Sequence, residues 1–356
     1  MKMKSAYIVS YSPFSGKTSF SLGLGLVLKE NGYKVGYFKP IGVGIETEQG
    51  KFIDPDVILM KDALNLDKSY DEICPPIKCK IGTYEFVKKY QEDRDYFRDN
   101  IVKAYNKLKD EYDFLIIEGR HRIQSLFTYR MDSINLSKLL DSKILLISNG
   151  VIDDIVLQKK LIEGMDAELL GVVFNNIDIP LEEKVKGELI PIMERYEIKF
   201  YGYVPEKPML IAPSAKEYHQ ALGGQVLVGN KYLNKLVLSF HIGAMRTDSA
   251  MRILKRFRDY ALITGGDRSD LISRALENSD IALLILTGNL YPEVRLLVKA
   301  EEQHVPVLLV PHETSVTYNI CQNVRAGISP DQKQKIQLVK ESIEENIQWK
   351  EIYEDA

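Results

Sequence analysis

Short apolar runs alternate with longer segments of helical pattern over the first two-thirds of the chain. The apolar runs contain few alternating polar residues, which is typical of strands whose two faces are both covered. Strands that alternate with helices favour a parallel sheet wrapped by helices, so the expected fold class is α/β. The predicted strands are Ala6–Val9, Lys34–Phe38, Phe114–Ile117, Ile144–Ser148, Leu170–Phe174 and Phe200–Val204.

Three prolines between residues 205 and 213 interrupt this alternation and predict a domain boundary near residue 210. A second, smaller alternating series follows, in which Lys235–Ser239 is one of the predicted strands. A charged tail comes last and contains the only tryptophan, Trp349. We expect this tail to form a helix that docks on the body or on a partner. The predicted organisation is 1–210, a second α/β domain over 214–330, and a tail over 331–356.

Composition narrows the range of partners. The chain has 356 residues, is 45% hydrophobic and carries a formal charge of −3 with both signs well mixed. Nothing in this mixture indicates binding to nucleic acid or to a membrane surface. No apolar run is long enough to span a bilayer and no signal peptide is evident, so we expect a cytoplasmic protein. Cys74, Cys79 and Cys321 are too scattered for disulfides or a zinc site and are interpreted as buried or incidental thiols.

The segment Ser15-Gly16-Lys17-Thr18 lies between the first predicted strand and a helical pattern. This context predicts a phosphate-binding loop, in which backbone N–H groups through Ser19 surround a polyphosphate. The Lys17 ammonium adds charge and the Thr18 hydroxyl completes a magnesium shell, so ATP and Mg²⁺ are the expected ligands. The usual pattern has glycine where this chain has Tyr11, and a chance match on a solvated turn is the alternative interpretation.

Two further loops carry charged side chains past predicted strand ends. Lys39 follows the second predicted strand, and an ordinary exposed lysine is the alternative there. The turn Asp54-Pro55-Asp56 offers carboxylates suited to Mg²⁺ or to its water shell, or to capping the helix that follows. Of the two, we expect Asp56 to cap this helix and Asp54 to point elsewhere.

Two more strands end in polar residues. Glu118 terminates an apolar strand, where a carboxylate is costly unless it is paired or bound to a metal, and we therefore favour a functional role. Asn175 follows a later strand to the same predicted edge. An amide there reads a nucleotide base or closes a turn, and both interpretations remain open.

Six segments together resemble the dethiobiotin synthetase-like family of P-loop enzymes over residues 1 to about 210. In that family ATP phosphorylates a carboxylate or carbamate, and a nitrogen nucleophile then closes on it. The resemblance implies catalytic roles for Lys17, Lys39 and Glu118, with Lys17 on the phosphates, Thr18, Asp54 and Glu118 around magnesium, Lys39 near the acid and Asn175 near the base. The six segments are Ser15-Gly16-Lys17-Thr18, Lys39-Pro40-Ile41-Gly42, Asp54-Pro55-Asp56, Ile116-Ile117-Glu118-Gly119, Gly171-Val172-Val173-Phe174-Asn175 and Gly202-Tyr203-Val204-Pro205-Glu206.

The second domain resembles the DRTGG domain through two segments that each follow a predicted strand, Thr264–Asp270 and Thr287–Pro292. This pairing is similar to the N-terminal region of long bacterial phosphotransacetylases, where the first module is thought to regulate. Either Arg268 holds an anion, or Asp267 caps a helix while Arg268 bridges subunits. Only 26 residues follow Pro330, so we expect no acetyl-transferring domain.

These observations lead to three hypotheses. The first is a nucleotide-binding protein that senses or hydrolyses ATP, with a DRTGG domain that mediates assembly or binds a regulatory ligand. The second is an ATP-dependent ligase that activates a carboxylate. The third is a structural partner protein whose loop has lost its nucleotide. The expected partners are a nucleotide, a small metabolite and further copies of the chain in a homo-oligomer, without nucleic acid or membrane.

Overall fold

The computed structural model describes residues 3–13, 15–43, 45–46, 52–75, 81–324 and 326–356. The chain divides into two compact units. The first unit consists of Met1–Glu206 together with Ile328–Ala356, and the second unit is Lys207–Gly327. Within the described ranges, no helix is long and apolar enough to cross a membrane. Cys79, named above among the thiols, lies outside the described residues.

The first unit contains a parallel six-stranded sheet, which confirms the predicted α/β class. Its strand order is β2-β5-β1-β6-β7-β8, and β3 pairs with β4 in a separate antiparallel ribbon. The central strands are buried along their length, as their apolar sequences predict. The strands are β1 Lys4–Ser10, β2 Val35–Phe38, β3 Ile45–Glu46, β4 Phe52–Ile53, β5 Phe114–Glu118, β6 Lys143–Ser148, β7 Leu169–Ile177 and β8 Phe200–Pro205.

Helices connect these strands, and several begin at side chains that accept backbone N–H groups. Asp132 accepts from the N–H groups of Ile134 and Asn135, which starts the helix that precedes β6. Ser69 and Glu72 form a reciprocal capping box. The helices up to β8 are α1 Lys17–Glu30, α2 Pro55–Leu64, α3 Tyr70–Ile73, α4 Tyr84–Glu92, α5 Tyr96–Leu108, α6 Ser133–Leu139, α7 Ile152–Gly164, α8 Ile179–Lys184 and α9 Ile190–Arg195, the last two joined by a π-helical turn, Val185–Leu189.

The second unit contains a mixed five-stranded sheet. Its order is β10-β11-β12-β13-β9, in which β9 runs antiparallel to β13 and the other pairs are parallel. The strands are β9 Gln225–Val228, β10 Ser239–Ile242, β11 Tyr260–Gly265, β12 Ile281–Thr287 and β13 Val307–Leu309. The helices are α10 Pro208–Ile211, α11 Ala215–Leu222, α12 Thr247–Leu254, α13 Ser269–Ala275, α14 Val294–Glu302 and α15 Thr314–Asn323.

The strand predicted at Lys235–Ser239 is wrong, because the ladder with β11 begins only at Ser239. The backbone before it is bonded to the start of the unit instead. The N–H of Val237 donates to the carbonyl of Pro213 at 2.8 Å, and the carbonyl of Lys235 accepts from the N–H of Ala215 at 2.9 Å. Residues 235–239 therefore have the composition of a strand, but their backbone is hydrogen-bonded to the segment around Pro213 and Ala215.

The interpretation of Asp267 as a helix cap is also wrong. Helix α13 begins at Ser269 with Arg268 in the capping position, and no side chain caps it. The guanidinium of Arg268 donates to the carbonyl oxygens of Gly243 at 3.3 Å and Met245 at 2.9 Å. These bonds tie the loop after β11 to the loop after β10, and they use donors that an anion would need.

The chain returns to the first unit through two C-terminal helices, α16 Lys333–Asn346 and α17 Trp349–Asp355. Helix α16 packs on α1, where the absence of a side chain at Gly23 makes room for Val339 and Ile343. Helix α17 lies at the other end of the sheet, where the Tyr201 hydroxyl donates to Asp355 at 2.8 Å. The tail therefore covers the helix that follows the predicted phosphate loop.

We expect Gly23→Ala to destabilise the protein by about 1–3 kcal/mol, despite the higher helix propensity of alanine. A Cβ at Gly23 would lie 2.4 Å from Cγ1 of Ile343 and 3.0 Å from the Val339 carbonyl oxygen, so α16 must shift. Urea unfolding measures the change. The control is Gly164→Ala at the end of α7, where a Cβ meets nothing within 4 Å and stability should not fall. A Gly23→Ala protein as stable as this control would contradict the packing of α16 on α1.

Candidate functional site

The loop between β1 and α1 is hydrogen-bonded to Asn175, which lies near the end of β7. The Nδ2 of Asn175 donates to the carbonyl oxygen of Ser15 at 2.9 Å. Gly16 has a left-handed backbone with φ of 82°, and a Cβ there would lie 2.0 Å from the same nitrogen. In this structure Asn175 therefore positions the loop itself, and its predicted contact with a base stays a prediction.

Lys17 starts α1 and turns its ammonium into the loop. Its Nζ donates to the Ser10 hydroxyl at 2.8 Å and to the carbonyl oxygen of His121 at 3.1 Å. Burial lowers the pKa of Lys17, while the nearby Glu118 carboxylate opposes this effect. A buried ammonium that is hydrogen-bonded only to neutral oxygens, with no direct ion pair among the described residues, attracts an anion.

Three carboxylates gather around Lys39 at the same edge of the sheet. Its Nζ lies 3.2 Å from Oδ1 of Asp54 and 3.4 Å from Oε1 of Glu118, and it also contacts Asp56. The Thr18 hydroxyl donates to Oε1 of Glu118 at 3.0 Å. Burial would lower the pKa of Lys39, but the carboxylates of Glu118, Asp56 and Asp54 raise it above its usual value. Lys39 is thus a buried counter-ion and not an ordinary exposed lysine.

The structure reverses the expected roles of the two aspartates. Asp54 is the N-cap of α2 and accepts from the N–H of Asp56 at 2.9 Å and from that of Val43 at 2.6 Å. Asp56 lies in the first turn of the helix, and its carboxylate contacts Lys39. Pro55 occupies the first helical position, which makes the residue before it the cap. This signal was present in the sequence.

Glu118 carries the clearest sign of a missing partner. The side chain is 2% exposed, and its Oε2 is buried without a hydrogen bond among the described residues. Burial raises the pKa of Glu118, and the Lys39 ammonium opposes this shift. This carboxylate has one orphaned oxygen and another that accepts from the Thr18 hydroxyl, and carboxylate and hydroxyl oxygens are the hard ligands that Mg²⁺ takes. As the described side chains stand, no group of three or more acidic, histidine or cysteine residues is arranged to hold a metal. Lys39 stands between the carboxylates.

Sequence reasoning missed two residues that follow Glu118. The loop after β5 continues with Arg120 and His121, and the carbonyl oxygen of His121 holds the Lys17 ammonium. Burial lowers the pKa of His121, and the charges of Arg120, Lys17 and Lys39 lower it further. The sequence shows these two basic residues one glycine after the strand-end carboxylate, and this pattern could have indicated them. Ser19 lies in the first turn of α1 and is half-buried.

The two thiols that the structure describes are free. Burial raises the pKa of Cys74, next to the carboxylate cluster, to about 12, and burial likewise raises the pKa of Cys321 to about 12. Both therefore stay protonated near neutral pH and are poor nucleophiles. Their interpretation as incidental thiols agrees with this environment.

Comparison with known proteins assigns the chain to a family. A family model described as an AAA domain matches residues 4–214, and the model of the DRTGG domain matches residues 217–324. An ATP-dependent dethiobiotin synthetase of Methanococcus vannielii is 31% identical over 197 residues, which cover 54% of this chain and 89% of that enzyme. The chain belongs to the dethiobiotin synthetase-like P-loop family.

The dethiobiotin synthetase-like chain also matches longer enzymes. A phosphate acetyltransferase of Nitratidesulfovibrio vulgaris is 27% identical over 381 residues, which cover 97% of this chain and 51% of that enzyme. A second, from Synechocystis, is 27% identical over 93% of this chain and 49% of its own length. The chain therefore spans about half the length of these relatives, and both of its units lie within the match.

Solved structures share only the arrangement of the elements. MinD, a cell division protein of Aquifex aeolicus, has a TM-score of 0.37 and 19% identity, covering 58% of this chain and 84% of its own. The CBS and DRTGG domains of the regulatory region of Clostridium perfringens pyrophosphatase, complexed with the activator diadenosine tetraphosphate, have a TM-score of 0.27 and 18% identity, covering 38% of this chain and 68% of theirs. Neither likeness carries an argument about function.

We expect Lys39→Met to make stability depend on Mg²⁺ in the absence of nucleotide. Loss of the ammonium leaves buried carboxylates uncompensated, which costs about 3–5 kcal/mol. A divalent cation at millimolar concentration should then enter between Asp54 and Glu118 and restore much of the loss. Thermal unfolding with MgCl₂ or with EDTA measures the difference.

The wild-type protein is the first control and should respond little to Mg²⁺ alone, because Lys39 already neutralises the cluster. The double variant Lys39→Met with Glu118→Gln is the second control and should lose most of the Mg²⁺ response. Equal responses of the wild-type and Lys39→Met proteins would contradict competition between the lysine and the metal.

Proposed function

We propose that the chain is a nucleotide-binding sensor whose first unit binds Mg-ATP. The observation that carries this proposal is the buried Lys17 ammonium, which forms no ion pair among the described residues and lies at a loop shaped by Gly16. A loop of this kind at a helix N-terminus is a site for phosphate oxygens. The relatives that match the first unit are described as ATP-dependent, which supports ATP as the nucleotide.

Each residue of the site has a role in this proposal. Lys17 binds the phosphates together with the backbone N–H groups of the loop, which include those of Ser15, Gly16, Thr18 and Ser19. Thr18, Asp54 and Glu118 would hold Mg²⁺, which would supply positive charge to the phosphate oxygens. Lys39 would compete with that metal, because its ammonium contacts the Asp54 and Glu118 oxygen atoms that would hold it. Asn175 keeps the loop in register.

Mg-ATP at about a hundred times its dissociation constant should stabilise the fold by about 2.7 kcal/mol. Lys17→Ala should abolish this gain, because it removes the only ammonium of the loop. Thermal shift with ATP, GTP and ADP, each with and without Mg²⁺, measures the effect. Lys88→Ala, an exposed lysine of α4, is the matched control and should keep the full shift. An unchanged melting curve at millimolar concentrations of all three nucleotides would favour the hypothesis of a structural partner protein.

An ATP-dependent ligase is the second candidate. It is favoured by Lys39, which is 4% exposed at the edge where an acid would meet the γ-phosphate. Lys39→Ala should then spare nucleotide binding and remove the release of phosphate that a carboxylic acid stimulates. A panel of metabolite acids tests this with a phosphate-release assay. If no acid raises phosphate release above the basal rate, the ligase hypothesis is contradicted and the sensor hypothesis stands.

The remaining features of the proposal concern the second unit and the surroundings of the protein. We infer that the second unit mediates assembly or binds a regulatory ligand, and that the chain forms a homo-oligomer. Exposed apolar side chains on and before α14, among them Tyr291, Val294 and Val298, support a contact surface. The same proposal includes a cytoplasmic location and a function that involves neither nucleic acid nor a membrane.

A further inference from the structure

Arg120 is a strongly basic, partly buried side chain that the described part of the molecule leaves without a partner. Lys39 contacts three carboxylates, and Lys17 donates to two oxygens. The described residues give Arg120 no hydrogen bond and no ion pair, and its Nε is buried without an acceptor. An arginine in this state is unusual, because a buried guanidinium ordinarily finds an acceptor.

Partial burial makes this arrangement costly. Removal from water lowers the pKa of Arg120, and the Asp54 carboxylate opposes the shift without forming an ion pair. The guanidinium nevertheless stays charged at any physiological pH. A cation that has lost water and gained no protein acceptor is stabilised most by an oxyanion that enters from solvent.

The position of Arg120 places that oxyanion beside the nucleotide site. Arg120 comes two residues after Glu118 and directly before His121, whose carbonyl oxygen holds Lys17. Glu118 lies 3.4 Å from the Lys39 ammonium and the His121 carbonyl oxygen lies 3.1 Å from the Lys17 ammonium, so Arg120 lies on the short segment that joins the carboxylate cluster to the phosphate loop. Lys17 is assigned to the nucleotide phosphates and Lys39 to the carboxylates, whereas Arg122 is exposed, so Arg120 is the partly buried cation that remains on this loop.

We propose that Arg120 binds a carboxylate or phosphate group of a second small molecule next to the nucleotide. This inference rests on the proposed nucleotide site for its surroundings, and it adds the class of the second ligand. The planar fork of a guanidinium takes two oxygen atoms of either group at once. Arg120 is therefore a specificity-determining residue, which selects anionic second ligands over neutral ones.

Residue-level chemical modification tests the proposal on the full chain. Phenylglyoxal reacts with arginine side chains, and mass spectrometry of peptides gives the rate at Arg120 and at Arg122 separately. Arg122 is the internal control, because it is exposed and lies on the same loop. The probes are succinate and inorganic phosphate, each with and without saturating Mg-ADP, beside an arm with Mg-ADP alone, at an ionic strength held constant with chloride.

We expect at least one probe to slow modification of Arg120 by about threefold or more, while the rate at Arg122 is unchanged. Protection by succinate alone indicates a carboxylate ligand, and protection by phosphate alone indicates a phosphate ligand. The proposal is overturned if neither probe protects Arg120 in any arm. It is also overturned if Mg-ADP by itself gives full protection, because Arg120 then belongs to the nucleotide.

Binding by variants provides a second measurement. Titration calorimetry with the protecting probe should show a loss of affinity of about tenfold or more for Arg120→Gln, a smaller loss for Arg120→Lys, and no change for Arg122→Gln. All three variants should bind Mg-ADP like the wild type, which excludes a general loss of structure. An Arg120→Gln protein that binds the probe normally overturns the proposal.

The same experiments separate this inference from the proposed function. If Mg-ADP fails to stabilise the wild-type protein, the nucleotide site is wrong. Protection of Arg120 by succinate or phosphate without nucleotide then still decides whether the arginine is an oxyanion site.

Discussion

The ammonium of Lys39 is the interaction on which the arrangement of the site depends. Asp54 caps α2, Asp56 lies in the first turn of that helix, and Glu118 ends β5. Three carboxylates so close together would repel one another in a buried place without a cation. The lysine reaches them because β2 and β5 are neighbouring parallel strands, whose carboxyl ends meet at one edge of the sheet. The fold therefore creates a buried position for a cation, which the Lys39 ammonium occupies.

The sequence predicted the sheet of the first unit well, because its strands are apolar on both faces and follow one another with helices between them. The six predicted strands overlap those observed. The second unit shows where this reasoning stops. Lys235–Ser239 has the composition of a strand, but the N–H of Val237 donates to the carbonyl of Pro213 and the carbonyl of Lys235 accepts from the N–H of Ala215. Composition indicates which residues suit a β-strand, whereas the strand with which they pair depends on the neighbouring segments of the fold.

The site was predictable in part because the strands were predictable and polar residues follow their ends. Polar residues at strand ends indicated Lys17, Lys39, Asp54 and Glu118, and the structure brings these residues together at one edge. Their partners were not predictable, because side-chain contacts across the sheet depend on distances that no spacing along the chain records. Asn175 contacts the loop between β1 and α1. Arg120 is the clearest omission, because only a three-dimensional structure reveals that the described residues give its buried Nε no acceptor.

The discontinuity of the first unit has a consequence for the order in which the protein is made. Helix α16 packs against α1, yet the ribosome must synthesise all of Lys207–Gly327 before α16 exists. During that interval the face of α1 around Gly23 has no cover from Val339 and Ile343. The second unit can fold early as an uninterrupted stretch, since its residues are contiguous. Of the two units, the first is therefore begun earlier and completed later.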